Sequence, residues 1–259
     1  MSIERKDSAL NAVNNEESVL VSLRNIGIRT EERFLVRGVN VEVYPKKVTA
    51  LCGPSGAGKS LTARAIMGVI DVAPGLVEGE LYYSGLEGPD ASKDWFEKVR
   101  GGGVLAQNKL LQDTMTLRGS YFTYSPQSAA SALNPGRTIG QQLKMAISRR
   151  ENAPENLGVE IKRILSEVGL RPSVSSSLPS ELSGGMCQRA ALAIAVAPQP
   201  KLVIADEPET GLDPVLRRGV IELLIRVTRQ NGAGLLLISH HEDTVARIAD
   251  DVVRLTSPL

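Results

Sequence analysis

The sequence predicts an α/β fold built on a mostly parallel sheet, and three observations carry that prediction. The last third of the chain alternates short apolar segments with helical ones, starting from the wholly apolar segment 202–205. Strands that are apolar on both faces belong to parallel sheets covered by helices on both sides. A glycine-rich turn joins the strand 47–52 to a helix over 60–69, the connection a doubly covered sheet requires. Finally, 259 residues with 42% apolar and 23% charged content can bury a sizeable core without disulfide or metal staples.

The elements follow in chain order. Residues 1–18 are polar and aperiodic and read as a flexible tail. Alternating or branched apolar residues predict strands at 21–28 and 39–43. The helix over 60–69 is expected to close near Gly75, through Pro74, before a strand at 79–84. Residues 85–115 carry a glycine triplet and mixed charge, and read as loops with short elements. Ile139, Leu143 and Ile147, then Ile161, Ile164 and Val168, have helical spacing on either side of a linker. A glycine turn from Glu181 opens a helix reaching Ala197. Beyond the strand 202–205 come a helix at 214–230, a strand at 234–239, a helix at 242–249 and a strand at 251–255.

Composition removes several function classes. Thirty basic residues against twenty-nine acidic ones leave a net charge of +1, so no global field holds nucleic acid or an anionic membrane. Aromatic residues at 3% argue against base-stacking platforms. Cys52 and Cys187 lack metal-ligand spacing, and the two histidines are adjacent, which speaks against a dedicated His/Cys metal site. The longest apolar run, 190–197, is far short of the ~20 residues that span a bilayer. The amino terminus lacks the apolar stretch of a signal peptide, so a cytoplasmic protein is expected.

The strongest local signal is Gly53, Pro54, Ser55, Gly56, Ala57, Gly58, Lys59 and Ser60, which fits G-x-x-x-x-G-K-[ST] between a strand and a helix. Backbone N–H groups of such a loop, with the positive end of the helix, cradle phosphate oxygens. Lys59 is placed to reach the β- and γ-phosphates of a bound nucleotide and Ser60 to ligate Mg²⁺. The strand 202–206 ends in Asp206, placed to hold Mg²⁺, and Glu207 follows as candidate general base. Ser183, Gly184 and Gly185 open a helix as a second anion-binding nest that lacks a lysine, and so read as half of a site.

The run Leu182-Ser183-Gly184-Gly185-Met186-Cys187-Gln188-Arg189 resembles the signature of the ABC-transporter ATPase family, with Met186 where that family most often has glutamine. Other landmarks agree in order. Gly211, Leu212 and Asp213 resemble the D-loop that lies across the dimer interface, and Ser239-His240 resembles the switch histidine that faces the γ-phosphate. The Q-loop glutamine has two candidates, Gln107 and Gln127. Gln127 is preferred because Tyr124-Ser125-Pro126-Gln127, continuing to Leu133-Asn134-Pro135, resembles the Q-loop of the dipeptide, oligopeptide and nickel importer ATPases. By that resemblance Gln127 ligates Mg²⁺ or the attacking water. The family's adenine-stacking aromatic aligns near Arg29 or Thr30, where this chain has none, and Phe34 is the substitute from the following loop.

The resemblance covers residues 19–259 and is closest to nickel-importer ATPase subunits. It implies a RecA-like P-loop NTPase core with an inserted helical subdomain over approximately 128–188. It implies ATP hydrolysis with Mg²⁺, pairing with a second ATPase subunit as homo- or heterodimer, two permease subunits and an extracytoplasmic binding protein, with no nucleic acid. The cargo expected is a nickel-like metal ion, a metal–chelator complex or a short peptide, and the location is the cytoplasmic face of the cell membrane. The competing expectation is a soluble ATPase of the same family that remodels a protein or nucleic-acid complex without transport.

Overall fold

The computed structural model describes residues 19–210 and 214–257, the side chains at 129–130, 214–216, 242 and 244 excepted. Two sheets organise the chain. β1 (Val21–Thr30), β2 (Phe34–Val43) and β4 (Pro74–Tyr83) form an antiparallel sheet in the order β2-β1-β4. β3 (Val48–Cys52), β5 (Phe122–Ser125), β6 (Leu202–Asp206), β7 (Gly234–Ile238) and β8 (Asp251–Arg254) form a parallel sheet in the order β5-β6-β7-β3-β8. Helices α1 (Lys59–Ile66), α2 (Gly103–Asp113), α3 (Ala129–Ala132), α4 (Ile139–Ile147), α5 (Leu157–Glu167), α6 (Gly184–Val196), α7 (Pro214–Gln230) and α8 (Glu242–Ile248) fill the connections.

The parallel strands are apolar throughout because they divide their side chains between two cores. Leu51, Leu202, Ile204, Leu236 and Ile238 face a core shared with α1 and the antiparallel sheet. Val48, Val203, Ala205, Leu235 and Leu237 face a second core shared with α4 to α7. The first core holds Tyr83, Trp95, Phe96, Tyr121 and Phe122, whereas the buried members of the second are all aliphatic. The burial of branched side chains on both faces, about 1.5–3 kcal/mol each, holds the central strands.

The elements differ from the sequence reading in three places. Helix α1 closes at Gly68 (φ 73°), whose N–H donates to Ala65 O at 2.9 Å, so Pro74 opens β4 instead of ending the helix. Residues 103–113, within the stretch expected to hold loops with short elements, form the eleven-residue helix α2; of its side chains only Gln107 and Leu110 are buried, and Val104 and Leu105 are exposed, so its apolar pattern is faint. β5 was not read as a strand at all. It is a four-residue edge strand whose register, Phe122 beside Leu202 and Ser125 beside Ala205, is dictated by β6. Gln107 lies on α2, where the residue is 3% exposed and its amide donates to Pro74 O at 2.6 Å.

The helices α4 to α6 are tied by one charged group. Arg150 donates to Glu160 at 2.7 Å and to Ala197 O at 2.6 Å, and Arg163 donates to the same Glu160 carboxylate at 2.7 Å. Hydrogen bonding from Arg163, reinforced by Arg150, holds the Glu160 carboxyl down at about 2 against the desolvating effect of burial. Its folded value lies below its unfolded value, so the stabilisation is present above about pH 4.5 and is lost as pH falls towards 2. We therefore predict that Glu160→Gln costs about 2 kcal/mol at pH 7, measured by urea unfolding, and that the gap to wild type closes across that acid range.

Candidate functional site

The site is built at the carboxyl ends of the parallel strands, where an open α/β sheet binds its ligand. β3 runs into Gly53, whose φ of 142° and close approach to Leu255 admit no side chain: a Cβ would lie 2.3 Å from Leu255 O. Gly58 (φ 86°) precedes α1, and a Cβ there would lie 2.4 Å from Val36 Cγ2, so β2 packs directly on the loop. Between them Pro54, Ser55 and Gly56 are exposed, while Ala57 is buried and donates its N–H to Pro54 O at 3.2 Å. At Gly56 a Cβ would meet nothing within 4 Å.

Lys59 is 6% exposed, and its ammonium donates to Gly53 O at 2.8 Å and Pro54 O at 3.0 Å. A buried cation held over a loop of exposed backbone, at the amino end of a helix, fits an anionic ligand such as a phosphate. Ser60 donates through Oγ to Asp206 Oδ1 at 3.1 Å, and Tyr124 donates its hydroxyl to Asp206 Oδ2 at 2.8 Å. The hydroxyl and carboxylate oxygens of Ser60 and Asp206 are the hard donors that Mg²⁺ takes. Burial, and then the bond to Asp206, push the Tyr124 phenol far above its ordinary value, so it remains a donor throughout the working pH range.

Glu207 is contacted by three side chains from different segments. Its backbone sits in the left-handed region (φ 45°), with its N–H donating to Ile238 O at 3.0 Å. One carboxylate oxygen accepts from Gln127 Nε2 at 3.1 Å and from Thr210 Oγ1 at 3.2 Å, and the other lies 3.4 Å from His240 Nδ1. The structure thus brings Gln127, Glu207 and His240 together, and Gln107 lies elsewhere. His240 and His241 stack with ring centroids 4.0 Å apart, and it is His240 that reaches Glu207.

Ser183, Gly184 and Gly185 lie at the surface at the start of α6, where Ser183 Oγ accepts from Met186 N at 3.4 Å. A Cβ on either glycine would meet nothing within 4 Å, so the motif presents open backbone outward. Further along α6, the Gln188 amide donates to Pro208 O, which couples the signature helix to the turn after Glu207. Asp213, with Gly211 and Leu212, falls outside the described residues. The Phe34 ring, at the start of β2, is covered by the guanidinium groups of Arg37 (4.7 Å) and Arg29 (5.6 Å).

Sequence reasoning assigned no role to Tyr124, Thr210 or Ser239. Tyr124 was legible only through the strand β5, whose last residues carry it to Asp206, and that strand left no pattern of its own.

A parallel sheet with a phosphate-binding loop after one strand (β3) and adjoining acids after a strand two places away (β6), with β7 between them, defines a P-loop NTPase. Residues 36–210 match the family model described as ABC transporter, and the chain belongs to that family. It is 34% identical over 219 residues to the oligopeptide transport ATP-binding protein OppD of Lactococcus lactis subsp. cremoris (strain SK11), covering 83% of this chain and 59% of that protein. It is 33% identical over 226 residues to the dipeptide transport ATP-binding protein DppD of Bacillus subtilis (strain 168), covering 84% and 61% respectively. The chain therefore spans about three fifths of the length of these relatives. Among solved structures, cbiO1 from Clostridium perfringens, part of the ABC transporter complex cbiONQ, shares the fold at a TM-score of 0.71 and 20% identity, over 93% of this chain and 86% of that one.

The Tyr124 contact makes a prediction of its own. Tyr124→Phe removes one of the two donors to the buried Asp206 carboxylate, and should lower folding stability by about 1–2 kcal/mol in thermal or urea unfolding at neutral pH.

Proposed function

We propose that this chain binds and hydrolyses ATP as the nucleotide-binding subunit of an ABC importer, powering uptake through separate permease subunits. The observation that carries the reading is the convergence of Lys59, Ser60, Asp206, Glu207, Gln127 and His240 at one end of one sheet. In this reading the exposed backbone of the loop 53–58 and the Lys59 ammonium bind the phosphates. Ser60, Asp206 and Gln127 would hold Mg²⁺, which when bound supplies positive charge against the phosphate oxygens. Glu207 accepts the proton of the attacking water. Gln127 and His240, both within reach of Glu207, orient that water and the terminal phosphate. Phe34, next to the Leu35–Val36 segment that packs on Gly58, is the aromatic offered for contact with adenine.

The outward-facing Ser183, Gly184 and Gly185 supply the other half of the site to a second ATPase subunit, with Asp213 at the same interface. Two ATP molecules would then join the pair, and hydrolysis would release it. The helical part, approximately residues 128–188, transmits that change to the permeases. Among the described residues no helix is long and apolar enough to cross a membrane. Family membership is what supports a place at the cytoplasmic face beside membrane-spanning partners. The relatives named for oligopeptide and dipeptide transport favour a short peptide as cargo, delivered by an extracytoplasmic binding protein. Neither of those names points to nickel or a metal–chelator complex.

Glu207→Gln should keep ATP binding, measured by calorimetry, while turnover falls at least ~100-fold. Lys59→Ala should lose the binding itself. Hydrolysis by Glu207→Gln at the wild-type rate would reject Glu207 as base. Affinity purification from native membranes should recover integral membrane subunits, and recovery of soluble partners alone would favour the remodelling ATPase.

A further inference from the structure

Two residues beyond Glu207 the chain places a second glutamate where nothing in the proposed reaction needs one. Glu209 is fully buried, with no measurable exposure. One of its carboxylate oxygens accepts from Ser239 Oγ at 2.5 Å, and the other, Oε2, has no hydrogen-bond partner among the described residues. Burying a carboxylate with half of its acceptors unused costs free energy, so a bland packing role would be filled better by an apolar side chain. Ser239, also fully buried, is tied by its backbone N–H to Leu51 O on β3 at 3.3 Å.

The bond has a direction. Ser239 Oγ is the donor and Glu209 Oε1 the acceptor, so the hydroxyl spends its single O–H on Glu209. That leaves the hydroxyl's lone pairs to accept the N–H of His241, which lies 3.1 Å from Oγ. The accepted N–H belongs to the peptide that joins His240 to His241, so the same contact fixes the corner from which His240 reaches Glu207.

We propose that Glu209 is a positioning residue for His240, acting through Ser239: its buried carboxylate sets the polarity of the Ser239 hydroxyl, which anchors the His240–His241 corner against Glu207. The inference rests on the ATPase reading for its kinetic consequence and on geometry alone for its structural one. The surroundings agree with it. Burial, then the charges of His240 and Arg217, push the His241 imidazole below its ordinary value, while the Glu209 and Glu207 carboxylates oppose them.

The test uses Glu209→Gln, a near-isosteric change that allows the amide to donate and so frees the hydroxyl to turn, alongside Ser239→Ala and Ser239→Thr. Because the chain has two histidines, their ring signals can be followed by NMR in the purified protein without ATP. Glu209→Gln should shift both ring signals, lower the His241 titration further, and reduce kcat about 10-fold with KM for ATP unchanged. Ser239→Ala should shift the ring signals and reduce kcat to the same extent, Ser239→Thr should restore the wild-type values, and Ser239→Ala combined with Glu209→Gln should have a kcat no lower than Ser239→Ala alone. Unmoved ring signals in Glu209→Gln, or a kcat loss in the double variant equal to the product of the single losses, would overturn the proposal. Should Glu209→Gln fail to fold, the Ser239 pair decides the same question by the same readouts. Absence of ATP turnover in the wild type would refute the functional reading, while the ring signals would still judge the positioning role.

Discussion

The register of three parallel strands governs everything else in this molecule. Leu51 of β3, Ile238 of β7 and Asp206 of β6 lie side by side across the sheet, so the residues that follow each of them leave the sheet at a common edge. The loop at Gly53, the serine at 239 and the glutamate at 207 are therefore neighbours by construction, although up to 186 positions separate them in sequence. Two backbone bonds extend the pairing past the strands, Glu207 N–H to Ile238 O at 3.0 Å and Ser239 N–H to Leu51 O at 3.3 Å. A one-residue slip in β7 would exchange its two faces and strand both cores along with the histidine corner.

The same edge explains why so much strain and buried charge collect there. Glu207 in a left-handed conformation, Lys59 held by carbonyl oxygens, and Glu209 with an unused oxygen each cost stability in isolation. They persist because the apolar layers on either face of the sheet leave their backbones no alternative path. The arrangement is preorganised: partners are already within hydrogen-bonding distance, which is the condition for electrostatic work without reorganisation.

Much of this was legible in the residues and some was not. The motif 53–60 and the strand 202–206 announced themselves because their chemistry fixes residue types at fixed local spacing. The helix α7 was legible to its ends, Pro214 and Gln230, because its period is uninterrupted. β5 left no trace, since a four-residue edge strand takes its identity from the neighbour it pairs with. The helix α2 was hidden by the glycine triplet ahead of it and by Val104 and Leu105 on its exposed side, which blur the apolar stripe. The contacts of Tyr124, Thr210 and Ser239 depend on the meeting of strand ends, and no local spacing encodes them.

The division of aromatic residues between the two cores has an experimental consequence. The single tryptophan, Trp95, is 5% exposed and packs edge-on to Tyr83, which also touches Tyr121 and Phe122. The helical core beneath the opposite face has no buried aromatic side chain. Near-ultraviolet dichroism and intrinsic fluorescence therefore report mainly on the other half of the molecule, and reach the helices chiefly where Phe122 and Tyr124 share a cavity with Met145 and Ile194. Loosening of the α4 to α6 helices would be recorded directly by backbone amide exchange and only indirectly by the optical probes, so agreement between optical and exchange measurements is what would establish that the chain unfolds as one unit.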